Sequence, residues 1–307
     1  MRYAIIADIH GNITALNAVL ADCKSQNIDQ YLFLGDYYGD FPMINEVIEK
    51  IRKIDNAISI KGNKEERLIQ AMNADPKERI SEQFAPLYWN LDNIKADNYK
   101  FIKELPSEFS FKVGHKKCYV AHSPSQHFGY GITDSFNGRI FYDQFGKEYT
   151  NHQEYLKYIN SKLQADKLPK VADGIYIFGH WHTQWHANID GKLLINAGSC
   201  GMPLDFNTNA PYTILDTNNL TIIERRIKYD TTIPVKALKE SDLYKSAPFW
   251  YNLSILDFEK ARVHLWLFLE FVHEFALSKN DNQYPYSNEL WQEAILLYNK
   301  KMNSGGF

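Results

Sequence analysis

Three short apolar runs, YAIIAD at residues 3–8, QYLFLGD at 30–36 and NAISIKGN at 56–63, alternate with segments of helical period in the first 72 residues. After the first run, Leu16, Val19, Leu20 and Cys23 recur at i, i+3, i+4 and i+7. Pro42 opens a second such segment carrying Ile44, Val47, Ile48 and Ile51, and a third follows around Leu68 and Met72. Strands separated by helices cannot pair through two-residue turns. They lie parallel, and the helices between them cover the sheet, so the chain is committed to an α/β layering.

The pattern then changes. Residues 73–109 read as helical and polar, ending at ELPSEF. FSFKVGHKKCYVAHS reads as a hairpin that turns at Gly114, its second strand ending at His122. Segment 125–170 is rich in Gly, Tyr, Asn and Phe without a clear period and is expected to lie as loop and helix over one rim of the sheet. GIYIFGH, GKLLINAGS, APYTILDT and LTIIERRIKY follow as sequential, partly antiparallel strands, with turns such as Asp190-Gly191 and Asn218-Asn219. From about residue 231 the spacing is helical again, with Trp266, Leu269, Phe271 and Val272 among its apolar positions. The expected organisation is one α/β unit over 1–230 and a helical extension over 231–307, packed on the core or forming a dimer contact.

A chain of 307 residues with a formal net charge of -3 has no global basic field to hold a nucleic acid or an anionic membrane. Cys23, Cys118 and Cys200 are far apart and form no CxxC pair, so they read as core-lining thiols in a reducing compartment. The opening MRYAIIADIH is too short an apolar run for a signal peptide. The stretch HLWLFLEFVHEFAL is interrupted by Glu270, His273 and Glu274, and falls short of the ~20 apolar residues of a membrane span. The expectation is a cytoplasmic protein with no membrane partner.

The strand ends carry the chemistry. AIIADIHGN delivers Asp8 and His10; YLFLGD delivers Asp36; ISIKGN delivers Asn63; CYVAHS delivers His122; IYIFGHWH delivers His180 and His182. Ligands of open α/β sheets bind beyond the carboxyl ends of strands, so five segments aim oxygen and imidazole groups at one rim. A single strand ending in Gly-Asp is commonplace, and a lone histidine is usually structural. Five such endings in one chain are a different matter. Carboxylate, imidazole and amide oxygen make a mixed hard and borderline donor set that suits Mn²⁺, Fe or Zn²⁺, and no thiolate is offered.

Asp8-Ile9-His10, Gly35-Asp36, Gly62-Asn63, His122 and Gly179-His180-Trp181-His182 resemble, in order and type, the signature of the calcineurin-like metallophosphoesterases. GDYYGDFPMINEVIEKI, LYWNLDNIKADNYKFIKELP, AHSPS and NAGSCGMP are similar to a bacterial phosphodiesterase-like or dinucleoside polyphosphate hydrolase-like branch. The resemblance spans roughly residues 1–230. It implies a four-layer αββα sandwich and two divalent transition metals, Mn²⁺ foremost, with Fe or Zn²⁺ as alternatives. Carried over by position, Asp8, His10 and His182 hold one metal, Asn63, His122 and His180 hold the second, and Asp36 bridges them. His180 and His182, at i and i+2, can serve two neighbouring ions. His186 has no counterpart in the motif and is assigned to the outgoing strand.

The chemistry so implied is attack by a metal-activated hydroxide on the phosphorus of a small phosphorylated molecule, nucleotide-like by preference. Asp36, Asn63, Lys64 and His122 are expected at the reacting centre. Asn12, Lys64, His127 and Ser199 are expected to meet the substrate, the last with the Gly198 backbone. Lys64 marks a departure, since the family often has histidine beside that asparagine, as an acid for the leaving group. A lysine is a poor acid at neutral pH but a good electrostatic clamp. Its presence favours leaving groups that need little protonation, such as aryl esters or phosphoanhydrides. His127 is a substitute acid or a plain rim histidine. Tyr130, Arg139, Phe141 and Tyr142 are candidates to stack a base or contact a phosphate. Dinucleoside polyphosphate hydrolase and protein phosphatase are the nearest alternatives. A nuclease is disfavoured by the charge, and a non-catalytic module by the intact ligand set.

Overall fold

The structure, a computed structural model, describes residues 1–128, 171–281 and 283–303, together with Glu154, Lys157 and Ser161. Two five-stranded sheets face each other. The first runs β10-β9-β1-β2-β3, with β1 (Arg2–Ile6), β2 (Gln30–Phe33) and β3 (Ala57–Ser59) parallel and β9 (Ala210–Asp216) and β10 (Thr221–Ile227) antiparallel at its edge. The second runs β4-β5-β6-β8-β7, from β4 (Glu108–Val113), β5 (Lys116–Ala121), β6 (Gly174–Phe178), β7 (Gln184–Ile189) and β8 (Lys192–Ala197). Here β5, β6 and β8 are parallel and the two edge strands antiparallel.

The first three strands are parallel because α1 (Ile13–Cys23) and α2 (Ile44–Arg52) fill the crossovers between them. Strand alternation splits the apolar side chains between two cores. Ile5, Leu32, Leu34, Val120, Ile175, Ile177 and Ile195 meet between the sheets. Ala4, Ile6 and Phe33 point outward and are covered by Leu16 and Val19 of α1, Val47 and Ile48 of α2, Leu68 of α3 (Asn63–Ala71) and Ile102 of α6 (Ala96–Glu104). Each fully buried Ile, Leu or Val of this set contributes about 1.5–3 kcal/mol. Met72 is not among them: it caps α3 and stands 56% exposed. Short α4 (Pro76–Arg79) and α5 (Ala85–Asn93) lie between α3 and α6. The outer face of the second sheet carries Tyr176, Phe178, Trp181 and Trp185 beneath α7 (Ser125–Phe128). The architecture is the expected layered sandwich with C-terminal helices. Strand β7, the outgoing strand expected to carry His186, pairs with β8 across a turn whose Asp190 and Gly191 have φ of 47° and 78°.

The C-terminal helices are α8 (Thr232–Glu240), α9 (Asp242–Ser246), α10 (Pro248–Lys260), α11 (Leu265–Ser278) and α12 (Asn288–Asn303). They pack on the sandwich. Leu238, Leu243, Tyr251, Ile255 and Phe258 close over Phe41 and Met202. Phe268, Val272, Trp291 and Tyr298 form a smaller core of their own. Trp266 takes no part in either core: it is 52% exposed and its indole N–H donates to Glu270 at 2.9 Å. No helix among the described residues is long and apolar enough to cross a membrane.

Candidate metal centre

Every predicted ligand lies at the carboxyl-end rim of β1, β2, β3, β5 or β6, and the chain there is bent into conformations side chains rarely adopt. Asp8, His10, Asp36, His180 and His182 all have positive φ, between 52° and 73°. Such residues are held only where the surroundings fix them, and they cluster at functional sites. The glycines of the motif make room for the ligands. A Cβ on Gly62 would stand 2.2 Å from Asp36 Oδ1, and one on Gly179 would stand 2.6 Å from Asp8 Oδ2.

Two clusters result. Asp8 Oδ1 lies 3.9 Å from His10 Nε2 and 3.5 Å from His182 Nε2, and Asp36 Oδ2 lies 3.8 Å from His10 Nε2. On the other side, Asp36 Oδ2 is 3.5 Å from His122 Nε2. Asn63 Oδ1 is 2.8 Å from His122 Nε2 and 2.9 Å from His180 Nδ1. Asp36 thus faces both groups. Asp8, His10 and Asp36 are almost wholly buried, and Asp8 Oδ1 and His10 Nε2 have no hydrogen-bond partner among the described residues. Buried polar atoms left unpaired cost about 1–3 kcal/mol each, so their persistence calls for an explanation. A cation held between them supplies one, and the carboxylate and imidazole donors gathered there suit a divalent metal.

A second ring of bonds aims the ligands. His10 Nδ1 donates to Asp40 Oδ2 at 2.7 Å, His122 Nδ1 to the Leu34 carbonyl at 2.6 Å, and His182 Nδ1 to the Met202 carbonyl at 2.7 Å. Each bond turns the Nε2 atom inward, as metal-binding histidines require. Glu65 is fully buried, and its carboxylate accepts from the backbone N–H groups of Asp36, Tyr37 and Gly62, tying two ligand loops together. Burial, with the charge of Asp36 adding to it, pushes Glu65 up to about 7. Asp40 and Glu65 stand inside the sequence motifs, but no local signal there assigns them a role.

The electrostatics follow from burial opposed by neighbours. Burial pushes the carboxyls of Asp8 and Asp36 up, but the facing histidines outweigh it and hold both below the usual range. Burial would lower His10 and His122, yet Asp40 and Asp8 raise His10 to about 9, and Asp36 and Asp8 raise His122 to about 10. His180 and His182 go the other way, to about 4, through burial reinforced by the charged histidines beside them.

Three expected substrate contacts have other duties. Asn12 caps α1, accepting from Ala15 N at 3.0 Å, while its amide donates to the Gly201 carbonyl and the Tyr229 hydroxyl. Ser199 Oγ donates to the Asp8 carbonyl at 2.6 Å and accepts from Met202 N. Both are buried, with their side-chain polar atoms engaged within the protein, where they brace the loops that carry Asp8 and His10. His127 lies in the aromatic layer on the outer face of the second sheet, its ring 5.7 Å from that of Tyr119 and 5.6 Å from that of Tyr176. Burial lowers its pKa. Its surroundings are those of a packed ring, which argues against an acid at the reacting centre. Lys64, by contrast, is half-buried at the first turn of α3. Its N–H donates to Asp36 Oδ1 at 2.8 Å, and its charge helps keep Asp36 and Asp40 ionised. His186 pairs with Glu224 on β10 at 2.7 Å. Tyr130, Arg139, Phe141 and Tyr142 lie outside the described residues.

Comparison with known proteins agrees with this geometry. Over 254 residues the chain is 29% identical to the uncharacterized protein MJ0912 of Methanocaldococcus jannaschii, covering 80% of this chain and 94% of that one. Its fold is similar to that of a metallophosphoesterase from Sphaerobacter thermophilus (TM-score 0.57, 22% identity, 80% of this chain and 96% of the other). It is also similar to the hypothetical protein PH1004 of Pyrococcus horikoshii (TM-score 0.54, 18% identity, the same coverage). Residues 1–220 match the calcineurin-like phosphoesterase superfamily domain. With the D-x-H, G-D, G-N, His and G-H-x-H segments converging as that superfamily requires, the chain belongs to the calcineurin-like phosphoesterases.

Proposed function

We propose that the protein is a two-metal phosphoesterase that hydrolyses a phosphodiester or phosphoanhydride of a small nucleotide-type molecule. The observation that supports this most is the convergence of Asp8, His10, Asp36, Asn63, His122, His180 and His182 at one rim, with buried ligand atoms left unpaired. Asp8, His10 and His182 would hold one cation, Asn63, His122 and His180 the other, and Asp36 both. Two divalent cations bound there, Mn²⁺ by preference and Fe or Zn²⁺ as alternatives, supply Lewis acidity and a water of lowered pKa. The protein's own part is to aim the donors through Asp40, the Leu34 and Met202 carbonyls and Glu65. The Lys64 ammonium would then be the group to hold a phosphate oxygen. The buried thiols Cys23, Cys118 and Cys200 are free, which suits a reducing compartment, and we place the reaction in the cytoplasm.

The assay is hydrolysis of bis-p-nitrophenyl phosphate by metal-stripped protein with and without Mn²⁺, beside a metal analysis. Protein that binds no metal and shows no Mn²⁺-dependent turnover would end this reading. A panel of dinucleoside polyphosphates, cyclic nucleotides and single-stranded DNA then separates the substrate classes. Lys64 favours the first of these, because a phosphoanhydride leaves without a proton. The rate is accordingly expected to fall steeply as the leaving-group pKa rises. Lys64→His should flatten that slope and raise turnover of alkyl diesters by roughly a hundredfold, the scale of general acid catalysis. Equal slopes for both proteins would remove Lys64 from leaving-group chemistry.

A further inference from the structure

The C-terminal helices reach the metal centre. Ser254, on α10, is 2% exposed, and its hydroxyl donates to Asp40 Oδ1 at 2.7 Å. The other oxygen of Asp40 accepts from His10 Nδ1 at 2.7 Å. A chain of two hydrogen bonds therefore runs from a helix beyond the matched 1–220 segment to a metal ligand. The same helix grips the neighbouring residue: Phe258 packs edge-on against Phe41, ring centres 4.9 Å apart. Phe41 N in turn donates to the His10 carbonyl at 2.8 Å. Gly39 completes the clamp, since a Cβ there would stand 2.6 Å from His10 Nδ1. His10 is thus fixed by its own loop and by α10 together, whereas His122 is fixed by the Leu34 carbonyl, within the sandwich.

We infer that Ser254 is a positioning residue for one metal only: by holding Asp40 it fixes the tautomer and aim of His10, so α10 sets the affinity of the cation shared by Asp8, His10 and His182. The inference rests on the two-metal reading above. A carboxylate that receives a second hydrogen bond is confined to one rotamer, and a histidine that donates to it presents its other nitrogen in one direction. Without the serine hydroxyl, Asp40 can turn, and the cost falls on the first cation while the second keeps its own supports.

The test is calorimetric titration of the metal-stripped full chain with Mn²⁺, which reads affinity without activity. Wild type is expected to bind two equivalents. Asp40→Ala should weaken one of them by roughly ten- to a hundredfold, and Ser254→Ala should weaken the same one by about tenfold. Adding Ser254→Ala to Asp40→Ala should cost nothing more, because the serine acts only through the aspartate. Ile255→Val, which trims the same helix beside the relay, should leave both affinities unchanged and so separates helix packing from positioning. Ser254→Ala that weakens both equivalents alike, or neither, would overturn the inference while sparing the two-metal reading. A wild-type protein that binds fewer than two ions would overturn both.

Discussion

Asp36→Asn is expected to lower Mn²⁺-dependent kcat/KM by about a thousandfold or more, the equivalent of several kcal/mol of transition-state stabilisation by metals. The Asp36 carboxylate faces both clusters, with Oδ2 at 3.8 Å from His10 Nε2 and 3.5 Å from His122 Nε2. Asparagine keeps the shape and can still accept the Lys64 N–H through its amide oxygen, so the loop has no reason to unfold. It removes one negative charge from between two cations and puts an amide in its place. The variant should bind no more than one Mn²⁺ tightly, and after chelation it should still melt cooperatively, but below wild type at pH 7, because His10 and His122 lose a facing charge. Steady-state kinetics and metal stoichiometry on the same preparation check this. An Asp36→Asn enzyme that holds two ions and works within tenfold of wild type would take Asp36 out of the bridging position.

What the sequence disclosed about this centre, and what it did not, follows from distance along the chain. Asp8, His10, Asp36, Asn63, His122, His180 and His182 each close a short apolar run. A strand end is a local signal, so the rim could be anticipated. The bonds that aim those ligands are not local. Ser254 meets Asp40 across 214 positions, and Met202 meets His182 through a backbone carbonyl that carries no sequence signal. Asn12 and Ser199, small polar residues beside motif glycines, show the same limit: their hydrogen bonds to Tyr229, Gly201 and the Asp8 carbonyl span nearly the whole domain and carry no local signal. His127 lies five positions beyond His122, but α7 carries it away from the rim onto aromatic rings that alternate outward from β5 and β6. Strand β7 has no clean alternation to read, because Gln184, Trp185, Ala187 and Ile189 are all buried; His186, just past the motif, is what points to an outgoing strand there.

Chelation is expected to make stability strongly dependent on alkaline pH. His10 and His122 are raised to about 9 and about 10 from an ordinary 6.5, because each faces buried carboxylates. A group whose pKa is higher in the folded than in the unfolded chain stabilises the fold fully below the unfolded value and loses that contribution as pH rises through the folded one. The metal-stripped protein should therefore lose several kcal/mol between about pH 7 and pH 10, since a tenfold change in proton affinity on folding is worth about 1.4 kcal/mol. For a chain of this size that is a fall in Tm on the order of 5–10 °C. The lowered pKa values of Asp8 and Asp36 describe the same ion pairs from the carboxylate side. They predict a second loss, at acid pH, and add nothing in the alkaline window. With Mn²⁺ bound, the cations take the place of the two protons. Stability above pH 7 should then hold nearly level, and metal affinity should rise with pH as the histidines give up their protons more readily. Thermal melts at pH 7, 8.5 and 10, with excess Mn²⁺ and with chelator, measure the two curves. Curves that run parallel would mean that His10 and His122 do not exchange a proton for a metal, and that the cations, if they bind, sit elsewhere.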